Sequence, residues 1–143
     1  MSEFAPITAK DAKERKGRED IEDIGRAILG CAVTVHKALG PGLLESAYET
    51  CLAHELGKAR LSCQRQVAIP IVYDGLKIDA GYRLDLLVDQ RIVVEIKSVE
   101  RLGDVHQAQL LSYPRLGNYR LGYLLNFNVA KLKDGIWRLV NQL

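Results

Sequence analysis

The stretch VVEIKSVE, residues 93–100, places a carboxylate and an ammonium group inside an apolar strand pattern. Val93, Val94 and Ile96 predict a buried β-strand. Glu95 and Lys97 are two residues apart, so both side chains point to the same face of that strand. Charged side chains are rarely buried without a partner. The stretch therefore indicates that Glu95 and Lys97 meet other charged groups at this point of the fold.

The strand predicted before it, within residues 76–89, carries a second carboxylate, Asp85. If the two strands form an antiparallel hairpin with residues 89–91 as a three-residue loop, Asp85 lies opposite Glu95 and shares its face. A two-residue loop would place the two carboxylates on opposite faces, unless a bulge resets the register. We expect the three-residue loop, and hence that the two carboxylates meet.

Two carboxylates held close together repel each other unless a cation or a proton lies between them. Oxygen ligands of this kind suit Mg²⁺ or Mn²⁺. Lys97 could then orient a water molecule or stabilise a charged phosphate. The alternative is a surface salt-bridge ladder among Arg83, Asp85, Glu95 and Lys97, since exposed ion pairs are common and contribute little. The pattern alone leaves both interpretations open.

Alternation along the strand at residues 76–89 predicts an apolar face against the core and a polar face that includes Asp85. The apolar face consists of the even positions Ile78, Ala80, Tyr82, Leu84, Leu86 and Val88.

The rest of the chain predicts an α/β fold in the order ααβββαββ, with a mixed sheet. Apolar residues at spacings of three and four predict helices over 19–39 and 43–56, the second with a buried stripe of Leu44, Tyr48, Leu52 and Leu56, and a later helix over 103–116. Period-two patterns predict strands over 63–75, 76–89, 91–99, 119–127 and 135–140. Pro70 predicts an edge strand or a bulge.

Residues 1–17 predict a disordered N-terminal arm, and residues 18–143 a single domain.

Composition narrows the class of protein. A chain of 143 residues fits one domain, and the net charge of +2 means that any basic surface must be local. The three cysteines include no C-x-x-C spacing, which argues against a zinc ribbon or a disulfide framework. There is neither a signal-peptide core nor a long apolar stretch. We therefore expect a cytoplasmic protein that does not enter a membrane.

The arrangement Asp85 … Glu95-Ile96-Lys97 resembles the D…(D/E)-x-K signature of the PD-(D/E)XK nuclease superfamily, although Leu84 stands where the name of that superfamily has proline. The resemblance implies a restriction-endonuclease-like αβββαβ core with a mixed central sheet flanked by helices. The spacing Gly42-x-x-Glu45-x-x-Tyr48 resembles the motif of the GxxExxY family, a group of small PD-(D/E)XK-like proteins. That likeness extends over residues 20–140.

Gln109-x-x-x-Tyr113 resembles the Q-x-x-x-Y element of superfamily nucleases that are attached to recombination helicases. Residues four apart on a helix share a face. Pro114 departs from the pattern and is expected to end or kink the helix near Tyr113. An ordinary amphipathic helix is the alternative for this pair. For Glu45, the alternative is a charge that stabilises the N-terminus of a helix.

The resemblance implies a metal-dependent nuclease that hydrolyses phosphodiester bonds, with DNA as the expected substrate and Mg²⁺ or Mn²⁺ as the ion. It assigns metal binding to Asp85, Glu95, the Ile96 carbonyl and Glu45. The implied catalytic set is Glu45, Asp85, Glu95, Lys97, Gln109 and Tyr113, and the candidates for substrate binding are Arg83, Arg101 and Arg115. Independently of the resemblance, the apolar strand over residues 119–127 could serve as the interface of a homodimer. The alternative function is a non-catalytic nucleic-acid-binding or protein-interaction module that retains the nuclease fold.

The histidines are weaker candidates. Related nucleases sometimes use a helix histidine as a metal ligand, which would apply to His36, but a lone helix histidine is more often structural. We interpret His54 and His106 as surface residues.

Overall fold

The structure is a computed structural model that describes residues 8–109 and 119–141. Its elements are α1 (Ala9–Leu39), α2 (Glu45–Lys58), β1 (Cys63–Tyr73), β2 (Leu76–Val88), β3 (Ile92–Lys97), β4 (Leu121–Asn126), a 3₁₀ helix (Leu132–Gly135) and β5 (Ile136–Val140). Residues 104–109 are also helical. This order confirms the predicted succession of helices and strands. The rest of the helix predicted over 103–116 lies outside the described residues.

The strands form one five-stranded mixed sheet in the order β1-β2-β3-β4-β5. β1, β2 and β3 are joined as antiparallel neighbours, β4 runs parallel to β3, and β5 runs antiparallel to β4. A parallel pair needs a long crossover connection, and the helical residues 104–109 lie in the connection between β3 and β4. The predicted mixed sheet is confirmed.

The core lies on both faces of this sheet. The larger cluster packs α1 and α2 against one face, and includes Ile28, Leu52, Leu86, Val94 and Ile96. The smaller cluster lies on the opposite face and is formed by Ile69, Leu84, Leu87, Val93 and Leu124. The strand β3 therefore has buried apolar side chains on both of its faces, which confirms the buried strand predicted from Val93, Val94 and Ile96.

The edge of the sheet confirms the local prediction made from Pro70. Pro70 lies in β1, which is an edge strand, and the register with β2 shifts between Ile69 and Ile71. The turn between the strands has φ values of 49° at Asp74 and 77° at Gly75. Positive φ at both central residues is typical of the tight turns that join antiparallel strands.

The predicted faces of β2 are wrong. Leu86 and Val88 belong to the larger cluster, whereas Leu84 packs in the smaller one on the other side of the sheet. The alternation of side chains therefore breaks at Asp85. The physical reason is an interruption in the ladder between β1 and β2, which leaves Gln66 and Asp85 without a pairing partner.

The start of the first helix also differs from the prediction. α1 begins at Ala9 rather than at residue 19, so residues 9–17 of the predicted disordered arm are helical. The sequence there is aperiodic but rich in alanine, lysine, glutamate and arginine, which have high helix propensity. Residues 1–7 lie outside the described residues, and the division into an arm and a single domain stays a prediction.

At α2 the predicted apolar stripe is correct except at its first member. Tyr48, Leu52 and Leu56 are buried, but Leu44 is 78% exposed. The helix begins only at Glu45, and the extended backbone of Leu44, with φ −73° and ψ 151°, turns its side chain away from the stripe.

None of the described helices combines the length and apolar character that crossing a bilayer requires.

Candidate active site

The hairpin of β2 and β3 sets the register of the two predicted carboxylates. Val88 pairs with Ile92, which leaves residues 89–91 as a three-residue loop. Continuing this register along the hairpin places Asp85 opposite Glu95. The predicted loop length is confirmed, and so is the meeting of the two carboxylates.

At this point of the hairpin, side-chain hydrogen bonds replace the backbone ladder. The backbone amide of Asp85 donates to Glu95 Oε1 over 2.9 Å. The backbone amide of Ile96 donates to Asp85 Oδ2 over 2.8 Å. Each carboxylate is therefore held by an amide of the opposite strand, and the two acids stay side by side.

Burial dominates the electrostatics of this pair. Glu95 is only 4% exposed. Desolvation and then the charge of Asp85 raise the pKa of Glu95 to about 8, against the opposing effects of the Asp85 amide and of Lys97. Desolvation also raises the pKa of Asp85. A cation beside the two carboxylates would offset both effects, since an opposite charge favours the ionised form.

The raised pKa predicts that the metal-free protein becomes less stable as the pH rises from about 4.5 to about 8. In this range the folded state keeps a proton on Glu95 that the unfolded chain has released, so the stabilisation is complete below the unfolded pKa and is lost as the pH passes the folded one. The loss is on the order of a few kcal/mol. Thermal melting of chelator-treated protein between pH 5 and 9 measures it.

The matched variant for this measurement is Glu95→Gln, which mimics the protonated side chain and cannot ionise. We expect its stability to exceed that of the wild type by a margin that grows between about pH 4.5 and about pH 8 and stays constant at higher pH. Parallel curves for the two proteins over the whole range would contradict the raised pKa.

Lys97, the last residue of β3, supplies the positive charge near the pair. It is half-buried. Its charge lowers the pKa of Asp85 and of Glu95. No salt bridge between described residues joins Arg83, Asp85, Glu95 or Lys97 to one another. The alternative of a salt-bridge ladder is therefore not found in the part of the chain that the structure describes.

A cleft of about 210 Å³ lies beside Asp85, between the start of α2 and the sheet. It is lined by Glu45, Ser46, Glu49, Gln66, Asp85 and Ile96. Glu45 is exposed, and its Oε1 accepts a hydrogen bond of 3.3 Å from the backbone amide of Ser98, just beyond β3. The structure therefore brings Glu45 to the same cleft as Asp85, as the motif suggests.

The spacing Gly42-x-x-Glu45-x-x-Tyr48 has a structural explanation. Tyr48 is fully buried, and its hydroxyl donates to the carbonyl of Gly40 over 2.6 Å and accepts from the amide of Leu43 over 3.1 Å. Gly42 has a φ of 99°, which a residue with a Cβ rarely adopts. Glycine and tyrosine together fix the loop that leads into α2, and so place Glu45 at the N-terminus of that helix.

Three residues of the cleft, Ser46, Glu49 and Gln66, were not among the sequence candidates. Glu49 is only 7% exposed, and its carboxylate accepts hydrogen bonds from Arg65 and Gln66. Its position four residues after Glu45, on the same helix face, could have indicated it. Nothing in the residue types around Gln66 indicates its role.

The other predicted site residues either do not line this cleft or lie outside the described residues. Gln109 is half-buried and is the last helical residue before the undescribed range 110–118, and Arg101 is exposed. Arg83 is exposed and donates to the carbonyl of Gln66 over 3.4 Å. Tyr113 and Arg115 lie outside the described residues. The roles of all five stay predictions.

The histidines have structural surroundings. His36 is buried, and its Nε2 lies 2.8 Å from the carbonyl of Val129, to which it donates. This agrees with the structural interpretation of His36. His54 is exposed as predicted. His106 is half-buried rather than fully exposed, and its Nδ1 accepts a hydrogen bond from the amide of Gly103 over 3.0 Å.

The donor set fits a divalent ion of the magnesium type. Among residues 8–109 and 119–141, no cluster of three or more Asp, Glu, His or Cys side chains could hold a metal ion by itself. Mg²⁺ does not need such a cluster, because it commonly binds one or two carboxylates and completes its shell with water and substrate phosphates. Half-buried Asp85, which lines the open cleft, and buried Glu95 beside it supply the two carboxylates.

Comparison with known proteins identifies the family. The family model of the PD-(D/E)XK nuclease superfamily matches residues 22–139, which extend from α1 into β5. Comparisons with curated proteins and with solved structures gave no match. The matched range contains both strands of the carboxylate hairpin and the cleft beside it. The chain therefore belongs to the PD-(D/E)XK nuclease superfamily and has the restriction-endonuclease-like fold of that superfamily.

Proposed function

We propose that the protein is a nuclease that uses Mg²⁺ or Mn²⁺ to hydrolyse phosphodiester bonds in nucleic acid, with DNA as the expected substrate. One observation carries the proposal: Asp85 and Glu95 are held side by side across a hairpin, next to a polar cleft, with Lys97 two residues further on. Membership of a superfamily of nucleases supports the reaction class.

In this proposal Asp85, Glu95 and the backbone carbonyl of Ile96 hold the ion. Glu45, on the other side of the cleft, holds its water shell or a second ion. A divalent ion at this place would polarise a phosphate oxygen and lower the pKa of a bound water. The buried position of Glu95 keeps bulk water away from one side of the site.

The remaining roles concern the substrate. Lys97 orients the attacking water or stabilises the charge that develops on the phosphate. Gln109 positions Lys97 or the substrate backbone, and Tyr113 remains a catalytic candidate. Arg83, Arg101 and Arg115 bind phosphates. Because the net charge is only +2, binding through such a local basic surface should weaken strongly with added salt.

We also propose that the chain belongs to the GxxExxY group within the superfamily. Support comes from the structural explanation of its motif, in which Gly42 and Tyr48 fix the loop that places Glu45. A homodimer and a cytoplasmic location stay predictions. The free thiols of Cys31, Cys51 and Cys63 agree with a reducing compartment.

A cleavage assay tests the proposed function. Purified protein is incubated with labelled single-stranded DNA, double-stranded DNA and RNA, each with Mn²⁺, with Mg²⁺ or with a chelator. We expect cleavage of at least one DNA substrate with either ion and none with the chelator. Binding of Mn²⁺ and DNA without cleavage would contradict the proposal and favour the non-catalytic binding module.

A further inference from the structure

The ladder between β1 and β2 is interrupted beside the candidate metal site. It forms on both sides of Gln66, but Gln66 and Asp85 do not pair. The φ angle of Gln66 is 53°, in the left-handed region. A residue with a Cβ adopts this conformation at a cost in free energy, so the contacts around Gln66 must hold it there.

The carboxamide of Gln66 lies between two carboxylates. Its Nε2 donates to Glu49 Oε1 over 2.6 Å and to Asp85 Oδ1 over 3.3 Å. An amide nitrogen carries two hydrogens, so both bonds can form at once. The uncharged carboxamide of Gln66 thus lies between the carboxylates of Glu49 and Asp85, which would otherwise repel each other.

Glu49 gives this contact a fixed support. It lies on α2 and is only 7% exposed. Its Oε2 accepts hydrogen bonds from Arg65 Nε over 3.1 Å and from Arg65 Nη2 over 2.8 Å. A buried carboxylate that is paired in this way with a guanidinium has little freedom to move. The Gln66 side chain is therefore held from the helix layer.

Both oxygens of Asp85 consequently have a donor. Oδ2 accepts from the amide of Ile96, and Oδ1 accepts from Gln66. Two such bonds fix the orientation of the carboxylate, and each oxygen retains a lone pair for a cation. We propose that Gln66 is a positioning residue, held by Glu49 and Arg65, that fixes the Asp85 carboxylate for binding the divalent ion. Because ion binding by Asp85 is part of the proposed function, this role of Gln66 rests on that function.

The variant Gln66→Gly tests the proposal. Glycine adopts a positive φ readily, so the local backbone is kept while the carboxamide is lost. We expect the dissociation constant for Mn²⁺ to rise about tenfold, as when a group that orients a metal ligand is removed. We also expect amide hydrogen exchange at Ile96 in chelator-treated protein to accelerate on the order of tenfold, because its acceptor becomes mobile.

The matched control is Gln64→Gly, on the same strand. Gln64 is exposed and pairs regularly with Leu87. Glycine in a regular strand lowers stability, so the melting temperature should fall. The Mn²⁺ affinity and the exchange rate at Ile96 should remain those of the wild type. This control separates the loss of stability that any glycine in β1 causes from the loss of a fixed Asp85 carboxylate.

If Gln66→Gly binds Mn²⁺ and exchanges at Ile96 as the wild type does, the proposal is overturned. If the wild type itself does not bind Mn²⁺, the proposed function fails, and the exchange rate alone decides whether Gln66 positions Asp85. Should Gln66→Gly not fold, Gln66→Asn takes its place, because asparagine tolerates positive φ while its shorter side chain cannot reach both carboxylates.

Discussion

Replacing Lys97 with methionine should lower the rate of metal-dependent cleavage by about 100-fold or more, the usual effect of removing one preorganised group that stabilises charge in a transition state. Lys97 is half-buried and forms no salt bridge with a described residue, so its charge remains for a substrate phosphate or a water. Methionine keeps most of the apolar stem, which limits the loss of packing.

The measurement is the single-turnover cleavage rate, with Mn²⁺ affinity measured beside it. Lys97 lowers the pKa of Asp85 and Glu95, which favours Mn²⁺ binding, but its charge also repels a cation. Because these two effects oppose each other, we expect its removal to change Mn²⁺ affinity much less than the cleavage rate. Lys133→Met serves as the control, because Lys133 is exposed and lies far along the chain, in the 3₁₀ helix. Cleavage by Lys97→Met at the wild-type rate would remove Lys97 from the mechanism.

Replacing Asp85 with asparagine should weaken Mn²⁺ binding by about 100-fold or more, because residues that only orient a ligand already contribute about 10–100-fold. Asparagine has nearly the same shape but lacks the charge. Its NH₂ group would also face a donor, since Asp85 accepts hydrogen bonds at both oxygens, from Ile96 and from Gln66. Mn²⁺ titration followed by electron paramagnetic resonance measures the affinity.

Asp89→Asn is the control for the loss of one negative charge nearby. Asp89 lies in the loop of the same hairpin and forms a salt bridge with Arg91 instead of lining the cleft. Its removal should leave Mn²⁺ affinity close to that of the wild type. If Asp85→Asn binds Mn²⁺ as tightly as Asp89→Asn does, Asp85 is not a ligand.

The pairing register of β2 and β3 could be predicted because few loop lengths place the apolar side chains of both strands on the same buried faces. A three-residue loop opposes Leu87 with Val93, and both are buried in the same cluster. Shifting the pairing by one residue would move one of them to the other face. Asp85 and Glu95 follow from that constraint, so their meeting could be read from the residues.

The change of face at Asp85 could not be predicted in this way. It depends on the left-handed backbone of Gln66, a residue type with no special preference for that conformation. The contacts that hold Gln66 come from Glu49 on α2, which is distant in sequence. Local alternation therefore predicts Leu84 and Leu86 on one face, whereas tertiary contacts place them on opposite faces.

Similar reasoning applies to the ends of the helices. Amphipathic periodicity detects the part of a helix that packs, so it indicated α1 only where apolar residues begin to recur. Helix propensity acts equally in the polar segment before it, and the helix begins at Ala9. Leu44 continues the periodic pattern of α2, but the loop fixed by Tyr48 ends just before Glu45 and leaves Leu44 exposed.

Anomalous diffraction from crystals of the wild-type protein grown with Mn²⁺ tests whether Asp85 and Glu95 form a site for a divalent ion. We expect an anomalous peak within coordination distance of both carboxylates. The absence of a peak there, with Asp85 still bonded to the amide of Ile96 and Glu95 to the amide of Asp85, would contradict it.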